Sequence, residues 1–180
     1  MRKKMNLKTF YRIYYRHRVL KATIFLKIYL FISLTFKYVL NLFYFPKTVD
    51  LDSLLLKKNF LIEKDLNYLF EYFNSDKGEK YYDQYKQPYL QKRNIITAHG
   101  YAKYYEKYFS NIEKRTLNII EIGSFYGHAS AALFFYFENS FIYSADINPD
   151  MYIYNSKRIK NFFLNSSSEI SIKKDLINRD

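Results

Sequence analysis

Cysteine is absent from the 180 residues, which excludes a disulfide framework and any thiolate metal site and suits a reducing compartment. Glycine is nearly absent too, at four residues, Gly78, Gly100, Gly123 and Gly127, so each one marks a bend worth explaining. Acidic residues are missing from the whole of residues 1–49, which carry eleven Lys and Arg from Arg2 to Lys47. Residues 50–180 carry eighteen bases against seventeen acids, so nearly all of the net charge of +12 belongs to the N-terminal arm. The arm, not the body, is therefore the element that would meet an anionic partner.

A long uninterrupted apolar run is also missing. The stretch ATIFLKIYLFISLTFKYVLNLFYF, Ala22 to Phe45, has the length of a span, but Lys27 and Lys37 leave only nine uncharged residues between them. A central Lys costs about 2.5–3.5 kcal/mol on insertion scales and each Leu, Ile, Phe or Val returns about 0.3–0.6, so the balance is marginal. No small-residue cleavage site follows, which argues against a signal peptide. A basic N-terminus held in the cytoplasm would also send all that follows a span to the far side, away from any cytosolic cofactor. The expectation is a helix lying in the inner face of an anionic membrane, with its lysines snorkelling and the protein otherwise cytoplasmic. A true span, and a helix packed on its own domain or on a partner, stay open. Nucleic acid is not expected, because runs of Leu, Ile and Phe have no role on phosphates.

Residues 50–116 read as a helical lead-in. Within LDSLLLKKNFLIEKDLNYLFEYF, helical spacing places Ile62, Leu66, Leu69, Phe70 and Phe73 on one face, as core packing requires. NSDKGEKYYDQYKQPYLQKRN, with turn residues from Asn74 to Gly78 and a break at Pro88, reads as a loop of the length that lids and binding segments have. A further helix is expected in GYAKYYEKYFSNIEKR.

Residues 117–180 hold the most informative pattern. Leu117 to Ile122 is a short Ile-rich run, as in a buried parallel strand; EIGSFYG bends; HASAALFFYF from His128 reads as a helix; FIYSAD, Phe141 to Asp146, is a second strand ending in an acid. Strand, glycine turn, helix, strand is a βαβ unit, whose strands should be parallel neighbours. A dinucleotide fingerprint is disfavoured, because Phe125 and His128 stand where its second and third glycines belong, and a P-loop is disfavoured because GHAS lacks its lysine.

NIIEIGSFYG followed by YSADINP resembles the first two motifs of class I S-adenosylmethionine-dependent methyltransferases, and SDKG with HGYAKYYEKYF resembles the segment before that core in a subgroup similar to the macrolide-sugar O-methyltransferases. The resemblance covers roughly residues 74–170 and departs from the commonest motif at Phe125, where that motif has glycine. It implies an α/β fold, the N-terminal part of a Rossmann-like methyltransferase sheet with strands ordered 3-2-1, preceded by helices and a hydrophobic basic N-terminal helix. It implies S-adenosylmethionine as cofactor. Glu121 would attract the cationic methionine tail, Gly123 and Gly127 would shape the bend, and Asp146, nineteen residues after Gly127, would accept the ribose hydroxyl protons. Asn165 and Ser166, at the end of a third strand in NFFLNSSSEISIKKDL, would lie near the adenine edge, with a serine-capped helix after them. Asp76, Lys77, Gly78, His99 and Tyr101 are further candidates for lining the site.

The residues by themselves leave blander alternatives open. Glu121 could be an exposed strand-end acid, Asp146 a helix cap before Pro149, and His128 a helix-start residue. No metal is expected, and no catalytic base can be named. The family's sheet has seven strands and the segments up to Asp180 supply three, so the expectation is a chain truncated after the third strand, with strand one an open edge seeking a complementary chain or another copy. Two functions follow. One is methyl transfer to a hydroxyl of a sugar or glycoconjugate; the other is a non-catalytic, membrane-associated scaffold remnant that keeps a cofactor half-site.

Overall fold

The computed structural model describes residues 5–19, 22–40, 42, 46–82 and 95–177. The chain is a mixed α/β protein. Helix α1 (Leu7–Tyr14) and helix α2 (Ile24–Val39) form the arm, each started by a side chain that accepts from its first turn, Asn6 from the Thr9 N–H and Thr23 from the Leu26 N–H. Strand β1 (Val49–Asp50) leads into α3 (Leu51–Lys57), a 3-10 turn at Asn59–Glu63 and α4 (Leu66–Tyr72). The lead-in is thus broken rather than one helix, because Asp50 and Asp65 each cap a new start. Its anticipated face holds: Leu66, Leu69, Phe70 and Phe73 are buried, and Ile62 is half-buried.

The segment read as a loop contains structure. Strand β2 (Lys80–Tyr82) pairs antiparallel with β3 (Ile95–Thr97), and residues 83–94 of that segment lie outside the described residues. The signal was faint because each strand is only three residues long. Helix α5 (Ala102–Phe109) follows.

The main sheet is built from β4 (Asn118–Ile122), β5 (Phe141–Asp146) and β7 (Ile159–Phe163), in the order β4-β5-β7 with both pairs parallel. Helix α6 (His128–Tyr136) connects β4 to β5, and its residues Ala129 to Phe135 are all buried. A helix apolar all round must be covered on every side. Here α4 packs on one side and the sheet, through Ile119, Ile142 and Ile159, on the other. Strand β6 (Tyr154–Asn155) pairs parallel with β1, a two-residue link that tethers the lead-in to the sheet domain.

Side chains alternate across a strand, so each strand feeds two faces. The second face is smaller: Ala145, Phe162 and Leu164 pack with Tyr143, Ile172 and Leu176 under α7 (Glu169–Ile172) and the π-helical turn Lys173–Ile177 that continues it. Ser168 caps α7, as its sequence suggested. Beyond α7's reach, Ile120 and Ile122 of the edge strand β4 remain exposed. Arg158 closes the far end of α6, donating to the carbonyls of Phe134 (3.0 Å), Phe137 (2.9 Å) and Ser140 (3.1 Å). A cation at a helix C-terminus satisfies carbonyls left without intrahelical partners. Burial lowers the Arg158 pKa, though not into a range where it would lose its charge.

The arm is docked on the body. Phe10 and Ile13 of α1 are buried, Arg12 and Arg16 pair with Asp150 (2.8 and 3.2 Å), and the Asn148 side-chain amide donates to the Ile13 carbonyl (2.5 Å). Among the described residues no helix is long and apolar enough to cross a membrane.

Candidate functional site

The bend after β4 is fixed by backbone. The N–H groups of Gly123 and Ser124 both donate to the Ala145 carbonyl of β5 (2.8 and 3.2 Å). Three of its residues are left-handed: Gly123 (φ 85°), Phe125 (φ 48°) and Gly127 (φ 84°). The two glycines serve different ends. A Cβ on Gly127 would fall 2.1 Å from the Tyr152 ring, so this glycine is needed for packing, whereas nothing lies within 4 Å of a Cβ on Gly123. Phe125 keeps the glycine-like conformation at a cost of about 1–2 kcal/mol. Its own N–H donates to Asp146 Oδ2 (2.8 Å), which helps to hold it there.

A cavity of about 160 Å³ opens at this bend, lined by residues that include Asp76, Lys77, Glu121, Gly123, Phe125 and His128. Glu121 is not an exposed strand end. It is buried, with Lys77 Nζ 3.1 Å from Oε1 and the Ser130 hydroxyl donating to Oε2. Ser130 and Ser144 hydroxyls lie 2.5 Å apart, and Ser144 is hydrogen-bonded to Tyr152 OH (3.1 Å), so a buried polar chain runs from Glu121 between α6 and the sheet to Tyr152. Burial opposes the charge on Lys77, but Glu121, by Coulombic attraction and its hydrogen bond, together with Asp76 outweighs it and raises the Lys77 pKa. The Tyr152 and Tyr154 hydroxyls are pushed up, chiefly by burial, and stay protonated.

Asp146 ends β5 and ties the two loops together: Oδ2 accepts from Phe125 and Oδ1 from the Asn148 N–H (2.7 Å). The second bond, two residues on, is an Asx turn, and the short 3-10 helix Pro149–Met151 starts after Asn148, so Asp146 is not its cap. His128 does begin α6; its Nδ1 is 2.9 Å from Tyr154 OH.

SDKG and HGY come together through backbone: His99 N–H to Asp76 O (2.8 Å), Gly100 N–H to Gly78 O (2.8 Å) and Tyr101 N–H to Lys77 O (2.9 Å). This lacing presents Asp76 and Lys77 to the cavity, while Gly78, His99 and Tyr101 stand behind them and are not among its lining. His99 stacks on Tyr101 and sits 3.6 Å from Asp76 Oδ2. Gly127, Asp146, Asn165 and Ser166 also lie outside the lining, although Asp146 holds Phe125, which is part of it. Asn165 is occupied in the turn before α7, where its side chain accepts from the Ser167 N–H and its own N–H donates to Ser171 Oγ, while Ser166 is exposed.

Sequence reasoning passed over Ser130, Ser144 and Tyr152. Small polar residues on an apolar helix and strand were the available signal, since a buried hydroxyl demands a partner. Among the described residues no cluster of three or more His, Asp or Glu is placed to hold a metal ion. No protein-family model, no curated protein and no solved structure matches the chain.

Proposed function

We propose that this chain binds S-adenosylmethionine at the carboxyl ends of β4 and β5 and serves methyl transfer to a hydroxyl group of a sugar or glycoconjugate, on a Rossmann-like arrangement of its parallel strands. The observation that carries this reading is the Lys77–Glu121 pair in a cavity beside an open left-handed glycine. An α-amino acid is a zwitterion. Glu121 offers a carboxylate for its ammonium, and Lys77, with the first N–H groups of α6 nearby, offers positive potential for its carboxylate.

The fit is to the amino-acid end. A cavity of 160 Å³ is smaller than the roughly 300–1,000 Å³ of a pocket that takes a whole small molecule, so ribose and adenine would lie outside it, along the loops after β5 and β7. Asp146 suits the diol. A carboxylate has about four lone-pair sites, and the two backbone N–H groups use one on each oxygen. When bound, the cofactor would supply an electrophilic methyl group: an acceptor oxygen would form the new C–O bond as the C–S bond breaks, with the neutral thioether leaving and the hydroxyl proton released to a base or water. The chain's own residues bind, neutralise and orient, which is where most of the rate in such a transfer arises.

Titration calorimetry with S-adenosylmethionine and its demethylated product tests this. Glu121→Gln and Asp146→Asn should each weaken binding by about 1.5–3 kcal/mol, the scale of hydrogen bonds to charged groups. A second reading, a non-catalytic scaffold, draws on the fact that both Glu121 oxygens already have partners within the protein. Binding of neither compound to the folded chain would refute the cofactor reading and favour the scaffold.

A further inference from the structure

Tyrosines clamp one side of α2 to α1: Tyr11 OH reaches the Phe31 carbonyl (3.1 Å) and Thr35, Tyr15 OH reaches the Lys27 carbonyl (3.3 Å), and Tyr38 OH reaches the Met5 carbonyl (3.0 Å). Leu34, on this side, is the buried residue of the helix. On the opposite side lie Phe25, Ile28, Tyr29, Ile32, Phe36 and Val39, exposed by 82, 51, 66, 63, 62 and 72%. At about 100° per residue these six fall within an arc of roughly 100°, the width of a stripe that normally faces a core. Among the described residues no core covers it. Lys37 flanks the stripe and is itself exposed.

We infer that this stripe docks in the plane of an anionic lipid leaflet, with the bases of the arm at the headgroups. Charge selects the occupant. The arm has eleven bases and no acid, and among the described residues Asp150 engages two of them, Arg12 and Arg16, so the arm as a whole stays strongly cationic. A second copy would bring an equally cationic arm to the same face and be repelled. Lipid of negative charge offers both an apolar interior for the stripe and a surface for the bases. In-plane seating matches the length as well, since sixteen residues reach about 24 Å, short of a hydrocarbon core of about 30 Å. Because α1 is bonded to Asn148 and Asp150, the docked arm would hold the body beside the membrane through the loop that follows Asp146. This inference is independent of the cofactor.

The test is co-sedimentation of the full chain with vesicles of phosphatidylcholine alone and of phosphatidylcholine with phosphatidylglycerol, at increasing salt. Binding should need phosphatidylglycerol and fall with salt. Lys8→Ser with Lys37→Ser, both exposed positions, should lower partitioning by about 30-fold, or roughly five-fold per lysine. Phe25→Ser with Ile32→Ser and Phe36→Ser should abolish it at unchanged circular dichroism. Since the chain has no tryptophan, Phe36→Trp supplies a single reporter whose fluorescence should be quenched by brominated acyl chains. Equal binding to both vesicles, full binding by the triple serine variant, or an unquenched reporter would overturn the inference. So would a vesicle-free oligomer that the triple serine variant dissolves.

Discussion

Replacing Glu121 by Gln removes the one anion among the described residues within ion-pairing distance of Lys77 while keeping the shape of the side chain and an acceptor for Ser130. At 3.1 Å and an effective dielectric constant near 20, the attraction between the two charges is about 5 kcal/mol, and desolvation of both groups offsets part of it. Deleting one member of a fully buried pair usually costs about 3–5 kcal/mol, because the other charge is left stranded. Lys77 is a quarter exposed and can turn partly to water, so the expected loss is about 2–3 kcal/mol. For a chain of this size that lowers the melting temperature by roughly 4–12 °C. Lys77→Met should cost a similar amount by stranding Glu121. The double variant should be no worse than either single one, since neither charge is then left without its counterpart, giving a coupling of at least about 2–3 kcal/mol. Urea unfolding at neutral pH, followed by circular dichroism, measures all four corners of the cycle. Single losses under about 0.5 kcal/mol that simply add would refute the idea that this pair organises the site.

The same pair fixes a pH dependence. The Lys77 pKa is raised in the folded state, so its stabilisation is complete below the ordinary lysine value of 10.5 and disappears as pH rises through the higher folded value; the stability gap between wild type and the double variant should be flat at neutral pH and close only above about pH 10.5. Gly127→Ala should cost about 2–5 kcal/mol in stability, from left-handed strain and collision with Tyr152, whereas Gly123→Ala should cost about 1–2 kcal/mol and mainly reduce cofactor binding; equal stability losses in thermal melts would refute the division of roles. Arg158→Lys keeps the charge but cannot reach three carbonyls with one planar fork, and should lose about 1–2 kcal/mol in chemical denaturation. Ile120→Lys on the open edge strand should suppress any self-association seen by sedimentation velocity without lowering stability by more than about 1 kcal/mol; unchanged association would clear that edge of responsibility.

What the sequence made legible, and what it hid, follows from the range of the interactions. The two main strands, α6 and the bend between them were readable because each is specified locally: an Ile-rich run, a glycine that can turn left-handed, a stripe of small residues, an acid at the strand end. Phe125 is instructive. Its identity argued against a glycine conformation, yet the backbone takes that conformation because Asp146, twenty-one residues away, accepts its N–H. The same long reach explains the rest. Glu121 reads as a strand-end acid until Lys77, forty-four residues earlier, is folded against it. Ser130, Ser144 and Tyr152 look like incidental small or aromatic residues until parallel pairing of β4 with β5 stacks them behind that carboxylate. The arm shows the reverse case. Its pattern of Lys among Leu, Ile and Phe was visible, but which side of α2 is left bare depends on tyrosines of α1 whose hydroxyls seek backbone carbonyls on the other helix, and hydroxyl partners cannot be read from periodicity. Local rules therefore place the strands and the bend, while the charge state and shape of the cavity come from contacts that exist only once SDKG and HGY have laced together and carried Lys77 to Glu121.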